Sequence, residues 1–288
     1  MQAEDIKWIH VEASSRCNAW CPMCPRNQNG YGLRNGLIEQ DLSIETLLST
    51  LKLLPNCETV QLCGNDGDPV AHKEFLHLLE SIPKNLNLQI HTNGSLRTKK
   101  WWKQCADILS DRPHSVYFGI DGLEDTHNIH RQGTSFAKAV DNATTFIQNN
   151  GKAVWQFIPF KHNEHQLLEC MKLSQQLGFS DFSVVKSYRH HRSLARHYQT
   201  GKQYKLDPSD FYNRMWSKKI PATKETCMHL SIPSVYLDVQ GKISVCCYKS
   251  QEQGFANLNE LFAQPAVNSD VIARDAICQF WCQGIHGK

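Results

Sequence analysis

Apolar and polar positions alternate in short runs through the first two-thirds of the chain, and between these runs apolar residues recur at helical spacing. The strand-like runs are IKWIHVEA (6–13), TVQLCG (59–64), LNLQIHT (86–92), SVYFGID (115–121), AVWQFIPF (153–160) and DFSVVKS (181–187). Helical spacing marks residues 44–54, 74–82, 99–109, 135–148 and 165–177, and breakers such as Pro55, Pro83, Gly151 and Gly178 follow these segments. Six strands joined by right-handed helical crossovers predict an α/β fold: an incomplete, TIM-like (βα)6 barrel, open at one side, with its functional face at the C-terminal strand ends. After Ser187 the pattern changes to a basic stretch (188–202), a helix around 208–217 and a hairpin over 234–248 that turns at Gln240-Gly241. Two domains are therefore expected, 1–190 and 191–288. There is no internal repeat.

Composition narrows the class. The 288 residues are 41% hydrophobic, enough for a substantial core, and 31 basic against 28 acidic residues leave a formal charge of +3. Such a chain is neither disordered by composition nor an electrostatically driven nucleic-acid binder, and no apolar run is long enough for a membrane span. The opening MQAEDIKWIH has acidic residues and no apolar signal region, so a cytoplasmic protein is expected. In that setting the 12 cysteines point to metal ligands or small buried residues, not to a disulfide framework.

Cys17, Cys21 and Cys24 form C-x3-C-x2-C directly after the first predicted strand, a triple expected about 0.02 times by chance. Three thiolates on one short loop can take three corners of a 4Fe-4S cubane and leave the fourth iron open to an exogenous chelator. A zinc site completed by a distant His or Cys is the alternative. With this loop the sequence resembles the radical S-adenosylmethionine (SAM) enzymes. The resemblance implies that SAM chelates the open iron and is cleaved reductively to a 5′-deoxyadenosyl radical, which takes a hydrogen atom from the substrate. It also implies an external one-electron reductant of the flavodoxin or ferredoxin kind.

Further segments are similar to the family's pattern, with departures. Gly67, Asp68 and Pro69 in LCGNDGDP stand where the family has Gly-Glu-Pro beside the methionine amino group, with a shorter carboxylate. Thr92 and Asn93 match polar positions that face SAM. Asp121 in FGIDG matches a strand-end Ser-Ile-Asp-Gly, but Gly119 replaces the serine and removes a hydroxyl contact. Arg131 matches an arginine that pairs with the SAM carboxylate, and Met23 stands at the position that packs against adenine.

Near the end, Cys227, Gly241 and Cys246 give C-x13-G-x4-C across the hairpin, and Cys278 and Cys282 add C-x3-C. Two thiolate pairs suit a fully ligated second 4Fe-4S cluster, and the layout resembles the twitch domain, the short form of the SPASM domain. A four-cysteine zinc ribbon is the alternative. Strand alternation turns Cys247 away from Cys246 and makes it a non-ligand. Cys57, Cys105 and Cys170 read as small buried residues. Cys63, at the end of the second strand, could return a hydrogen atom to a substrate radical, although a packed strand residue is the simpler reading.

His72 and Lys161, just past strand ends, are candidate substrate contacts. So are Arg189 and His190, with His191 and Arg192, whose charge would attract an anionic substrate. The combined expectation is an oxidoreductase acting at an unactivated C–H bond of a small-molecule alcohol or amine, with the auxiliary cluster accepting an electron. Chain size favours this over cross-linking or epimerisation of a ribosomal peptide, since peptide-modifying relatives often carry a leader-binding segment and the first strand lies a few residues from Met1. A non-enzymatic zinc protein that binds nucleic acid through the basic stretch is the third reading.

Overall fold

The computed structural model describes residues 2–185, 194–210, 232–247 and 254–263. Six parallel strands form the centre: β1 (Trp8–Val11), β2 (Thr59–Leu62), β3 (Asn87–Thr92), β4 (His114–Gly119), β5 (Ala153–Phe157) and β6 (Asp181–Val184). Helices α1 (Ile44–Lys52), α2 (Phe75–Ser81), α3 (Lys99–Leu109), α4 (His127–His130), α5 (Phe136–Gln148) and α6 (Leu167–Gln176) lie between them. The predicted strands and the five predicted helices are all present, most of them shorter by a few residues where the chain leaves the sheet.

Alternation explains which face is covered. Ile9, Val11, Val60, Leu62, Leu88, Ile90, Val116, Phe118, Trp155 and Phe157 are buried in one core with the apolar stripes of the helices. Trp102 of α3 sits at its centre against Phe118 (5.0 Å) and Phe146 (5.9 Å). Ser43, Thr98 and Ser135 cap α1, α3 and α5 through their side chains, each worth about 1 kcal/mol. Gly151 is required after α5, because a Cβ there would lie 2.3 Å from the Phe146 ring.

The described parts of the C-terminal third attach to the barrel. Strands β7 (Leu194–Arg196) and β8 (Gln203–Lys205) form an antiparallel pair out of a stretch expected to be a solvated connection. The Gln132 amide ties this pair down, donating to the Arg196 carbonyl (2.9 Å) and the Tyr204 hydroxyl (2.6 Å). The predicted hairpin is β9 (Ser234–Leu237) and β10 (Ile243–Ser244), with Gly241 at φ +84° in its turn. Yet β9 pairs in parallel with β1, Trp8 opposite Ser234, so the sheet runs β10-β9-β1-β2-β3-β4-β5-β6. The hairpin thus extends the barrel sheet and forms no separate layer. A short α7 (Leu258–Phe262) follows it. Most of the helix expected around 208–217 lies outside the described residues, as do Cys227, Cys278, Cys282, Arg189, His190, His191 and Arg192.

Candidate functional site

The C-terminal strand ends carry loops that are fastened to one another. After β1 the chain runs through Cys17, Cys21 and Cys24, and backbone bonds hold this loop: the Cys24 N–H donates to the Cys21 carbonyl (2.9 Å) and the Trp20 N–H to the Gln132 carbonyl (2.8 Å). The loop after β2 lies directly on it, with the Asp68 N–H donating to the Arg16 carbonyl at 2.8 Å. Gly67 permits this approach, since a Cβ would stand 2.0 Å from the Ser14 carbonyl oxygen.

Cys21 and Cys24 lie close enough to raise the pKa of Cys17, and Cys24 to raise that of Cys21. Burial pushes Cys17 well up, with Asp68, Cys21 and Cys24 adding to the shift. Burial pushes Cys21 up to about 11 against the pull of Arg131, whose guanidinium also hydrogen-bonds the thiol. The Asn93 amide nitrogen lies 3.7 Å from the Cys17 sulfur. Among the described residues no three His, Cys, Asp or Glu side chains are gathered as one metal ion requires, whereas a cubane takes its thiolates at separate irons.

The other expected residues surround this loop, several of them already engaged by protein. Asp68 accepts from the Val70 N–H (3.0 Å), the Thr92 hydroxyl (3.0 Å) and the Asn93 N–H (2.8 Å). Its carboxylate therefore ties the ends of β2 and β3 together, where an ammonium contact was expected. It also caps the turn that Pro69 begins. Arg131, expected on the SAM carboxylate, donates through Nε to Asp121 at 2.6 Å. Its guanidinium lies over Gly119, where a Cβ would meet it at 2.7 Å. The missing serine is thus explained: the space of its side chain belongs to Arg131. Asp121 also accepts from His130 Nδ1 (2.8 Å) and the Ile158 N–H (2.8 Å). Burial opposes its charge, but Arg131 and His130 outweigh burial and hold the carboxyl far below its ordinary range.

One expectation is corrected, and two further expected residues have protein partners. His72 is no substrate contact, because Nε2 donates to the Leu42 carbonyl (2.9 Å) and Nδ1 accepts from the Glu74 N–H (3.0 Å). Met23 packs with Phe160, Ala195 and Leu206 in a small apolar cluster, where adenine was expected. Lys161 is exposed and pairs with Asp210 at 3.3 Å. Cys63 stands one residue past β2, with its carbonyl accepting from His10 Nε2 at 2.6 Å. Cys246 and Cys247 follow β10 rather than lying in it, so strand alternation does not separate them.

Glu12 is the residue that sequence reading missed. One carboxylate oxygen accepts from the Asp66 and Gly67 N–H groups, both at 3.0 Å, and the other from the Asn65 N–H and the Tyr236 hydroxyl, both at 2.7 Å. Burial, with Asp66 beside it, pushes its pKa up to about 7. This buried carboxylate moulds the loop after β2 and joins it to β9. Glu12→Gln puts an amide N–H₂ against two of these donors, and urea unfolding is expected to show a loss of about 2–3 kcal/mol. An unchanged midpoint would show that the four bonds contribute nothing net.

Residues 11–185 match the Radical SAM superfamily. The chain belongs to that superfamily. Its cofactors, SAM and a 4Fe-4S cluster, fit this site: three thiols on one loop, with an amide beside Cys17 and a guanidinium on Cys21 to stabilise thiolate charge. Over 125 residues the radical SAM chain is 29% identical to the tungsten-containing aldehyde ferredoxin oxidoreductase cofactor-modifying protein of Pyrococcus furiosus, covering 43% of this chain and 33% of that relative. It therefore spans about a third of the length of this curated relative.

Among solved structures, anSMEcpe with bound AdoMet is similar at TM-score 0.63 and 17% identity, over 90% of this chain and 78% of that one. SuiB of Streptococcus suis bound to S-adenosylmethionine gives 0.61 and 14%, over 95% and 67%. BtrN in complex with AdoMet and 2-DOIA gives 0.51 and 16%, over 98% and 89%. At these identities the likeness is one of fold. No helix among the described residues is long and apolar enough to cross a membrane.

Proposed function

We propose that this radical SAM enzyme oxidises a small-molecule alcohol or amine by two electrons, and that a second 4Fe-4S cluster, held by Cys227, Cys246, Cys278 and Cys282, takes up the second electron. In this reading residues 1–190 form the barrel unit and 191–288 supply the auxiliary-cluster unit. Cys17, Cys21 and Cys24 hold the first cluster, which with SAM supplies a 5′-deoxyadenosyl radical. Asn93 and Arg131 support the thiolates of Cys17 and Cys21. Asp68, Thr92 and Asp121 fix the strand ends that face the cofactor, and a flavodoxin- or ferredoxin-like protein is the reductant.

One observation carries the two-cluster reading. Asn65 bridges the two cysteine sets: its carbonyl accepts from the Cys24 thiol (3.5 Å), and its amide donates to the carbonyl of Cys247 (3.2 Å), next to Cys246. A redox group on Cys246 would then be near the first cluster and the substrate between them. BtrN, similar over nearly the whole chain, is described with 2-DOIA, a small molecule. A second reading, modification of a peptide, draws on SuiB bound to the precursor peptide SuiA and anSMEcpe bound to the Cp18Cys peptide.

Cys246→Ala separates electron transfer from radical formation. Product should fall to background while SAM cleavage continues, measured as 5′-deoxyadenosine by chromatography alongside substrate mass. Deuterium from solvent at the reacting carbon, with no change in oxidation level and dependence on Cys63, would replace oxidation by epimerisation.

A further inference from the structure

The concave face of the sheet, opposite the apolar core, has a composition of its own. Inward positions include His10 on β1, Gln61 on β2, His91 on β3, Tyr117 on β4, Gln156 on β5 and Tyr236 on β9, none of them part of the main core. Their contacts show the curvature. His91 hydrogen-bonds Gln156 and feels the charge of His10, each two strands away in the sheet order. Side chains on a flat sheet would not meet across an intervening strand.

This wall is ordered. The Gln61 amide nitrogen lies 3.1 Å from His91 Nε2, and the His91 and Tyr117 rings stack at 4.3 Å and 4°. The His10 ring meets Tyr236 edge-on at 4.9 Å. Gln61, His91, Tyr117 and Gln156 carry no formal charge of their own, and the charge that reaches them is that of Asp181, felt by Tyr117. Burial pushes both His10 and His91 down to about 4, so both are neutral at physiological pH. Among the described strand residues, the inward positions carry no Lys or Arg and a single carboxylate, Asp181, exposed at the edge. Gln61 donating to His91 Nε2 leaves the Nδ1 proton for Gln156. The Gln61 carbonyl oxygen and the Gln156 N–H₂ then remain to serve a ligand.

We propose that Gln61, His91, Tyr117 and Gln156 form the substrate-recognition wall and that it takes an uncharged, hydroxyl-bearing group. The inference rests on the oxidation reading above and narrows its substrate class from alcohols and amines to neutral polyols. A hydroxyl both donates and accepts and can satisfy amide and phenol partners together. A phosphate would be taken from water with no cation on the wall, and an ammonium would find only Asp181, exposed to water at the sheet edge. The anionic substrate suggested by Arg189–Arg192 is thus not the chemistry this wall selects.

The test is saturation-transfer NMR on the anaerobic, SAM-loaded enzyme with four probes: myo-inositol, myo-inositol 1-phosphate, glucosamine and an acetylated tripeptide amide. Myo-inositol should receive saturation and the two charged probes about tenfold less or none. Gln61→Ala and Gln156→Ala should each weaken myo-inositol binding about fivefold, with far-UV circular dichroism and iron content unchanged. Absence of transfer to myo-inositol, stronger transfer to a charged probe or to the peptide, or indifference to both variants overturns the proposal. SAM cleavage by the wild-type enzyme is read in the same samples, and its failure would count against the radical reading itself.

Discussion

Replacing Cys17, Cys21 and Cys24 together with alanine should abolish SAM cleavage and lower the iron content by about four per chain. The side chains that support the loop, Asp68, Asn93 and Arg131, are hydrogen-bonding groups and not soft ligands. The fold should survive, because the loop is held by main-chain bonds of Trp20, Cys24 and Asp68 that the substitutions leave in place. Iron that remains in the triple variant would belong to the second cysteine set. Chromatographic assay of 5′-deoxyadenosine after reduction decides the point, and full cleavage by the triple variant would remove the cluster from this loop.

Asp121→Asn should have the largest effect on stability. Asp121 is wholly buried and receives Arg131, His130 and the Ile158 N–H, so its loss as a charge strands the Arg131 guanidinium. Breaking a buried pair in this way costs about 3–5 kcal/mol. The sign of the pH dependence follows from the depressed pKa. The carboxylate is charged in the folded protein wherever it is charged in the unfolded chain, so its stabilisation is complete above about pH 4 and fades only as pH falls into strong acid. Urea midpoints of wild type and variant should therefore differ by the same amount at pH 6 and pH 8. A gap that closes between these values would mean that another titrating group carries the effect.

The barrel was legible because both of its periods are clean. Strands such as LNLQIHT place every second residue in the core, and helices such as KKWWKQCADIL repeat their apolar residues by turns, so local pattern and final burial agree. The hairpin was legible through Gln240-Gly241, but its pairing with β1 was not, since no local pattern encodes which edge a strand will choose. Strands β7 and β8 were missed because, among the described residues 194–206, only Ala195 and Leu206 are fully buried, and polar bonds from Gln132 fix the pair. The cysteine loop was plain from spacing. Glu12 was invisible, as a lone carboxylate after a strand carries no signal until three backbone N–H groups are seen to converge on it. His72 was misread for the reverse reason: its position past a strand resembles that of a site residue, while both ring nitrogens serve the backbone.

The parallel pairing of β1 with β9 sets an order of events during synthesis. The contact between Glu12 and Tyr236 closes over 224 residues, so at the usual pace of translation the first strand waits roughly 10–45 s for its outer neighbour. During that interval the outer edge of β1 presents unpaired N–H and C=O groups, and Glu12 lacks the Tyr236 hydroxyl. Non-local closure of this kind is intrinsically slow. The same interval leaves the loop after β2 without its tie to β9, so the floor on which the cysteine loop rests takes its final shape only when the hairpin arrives.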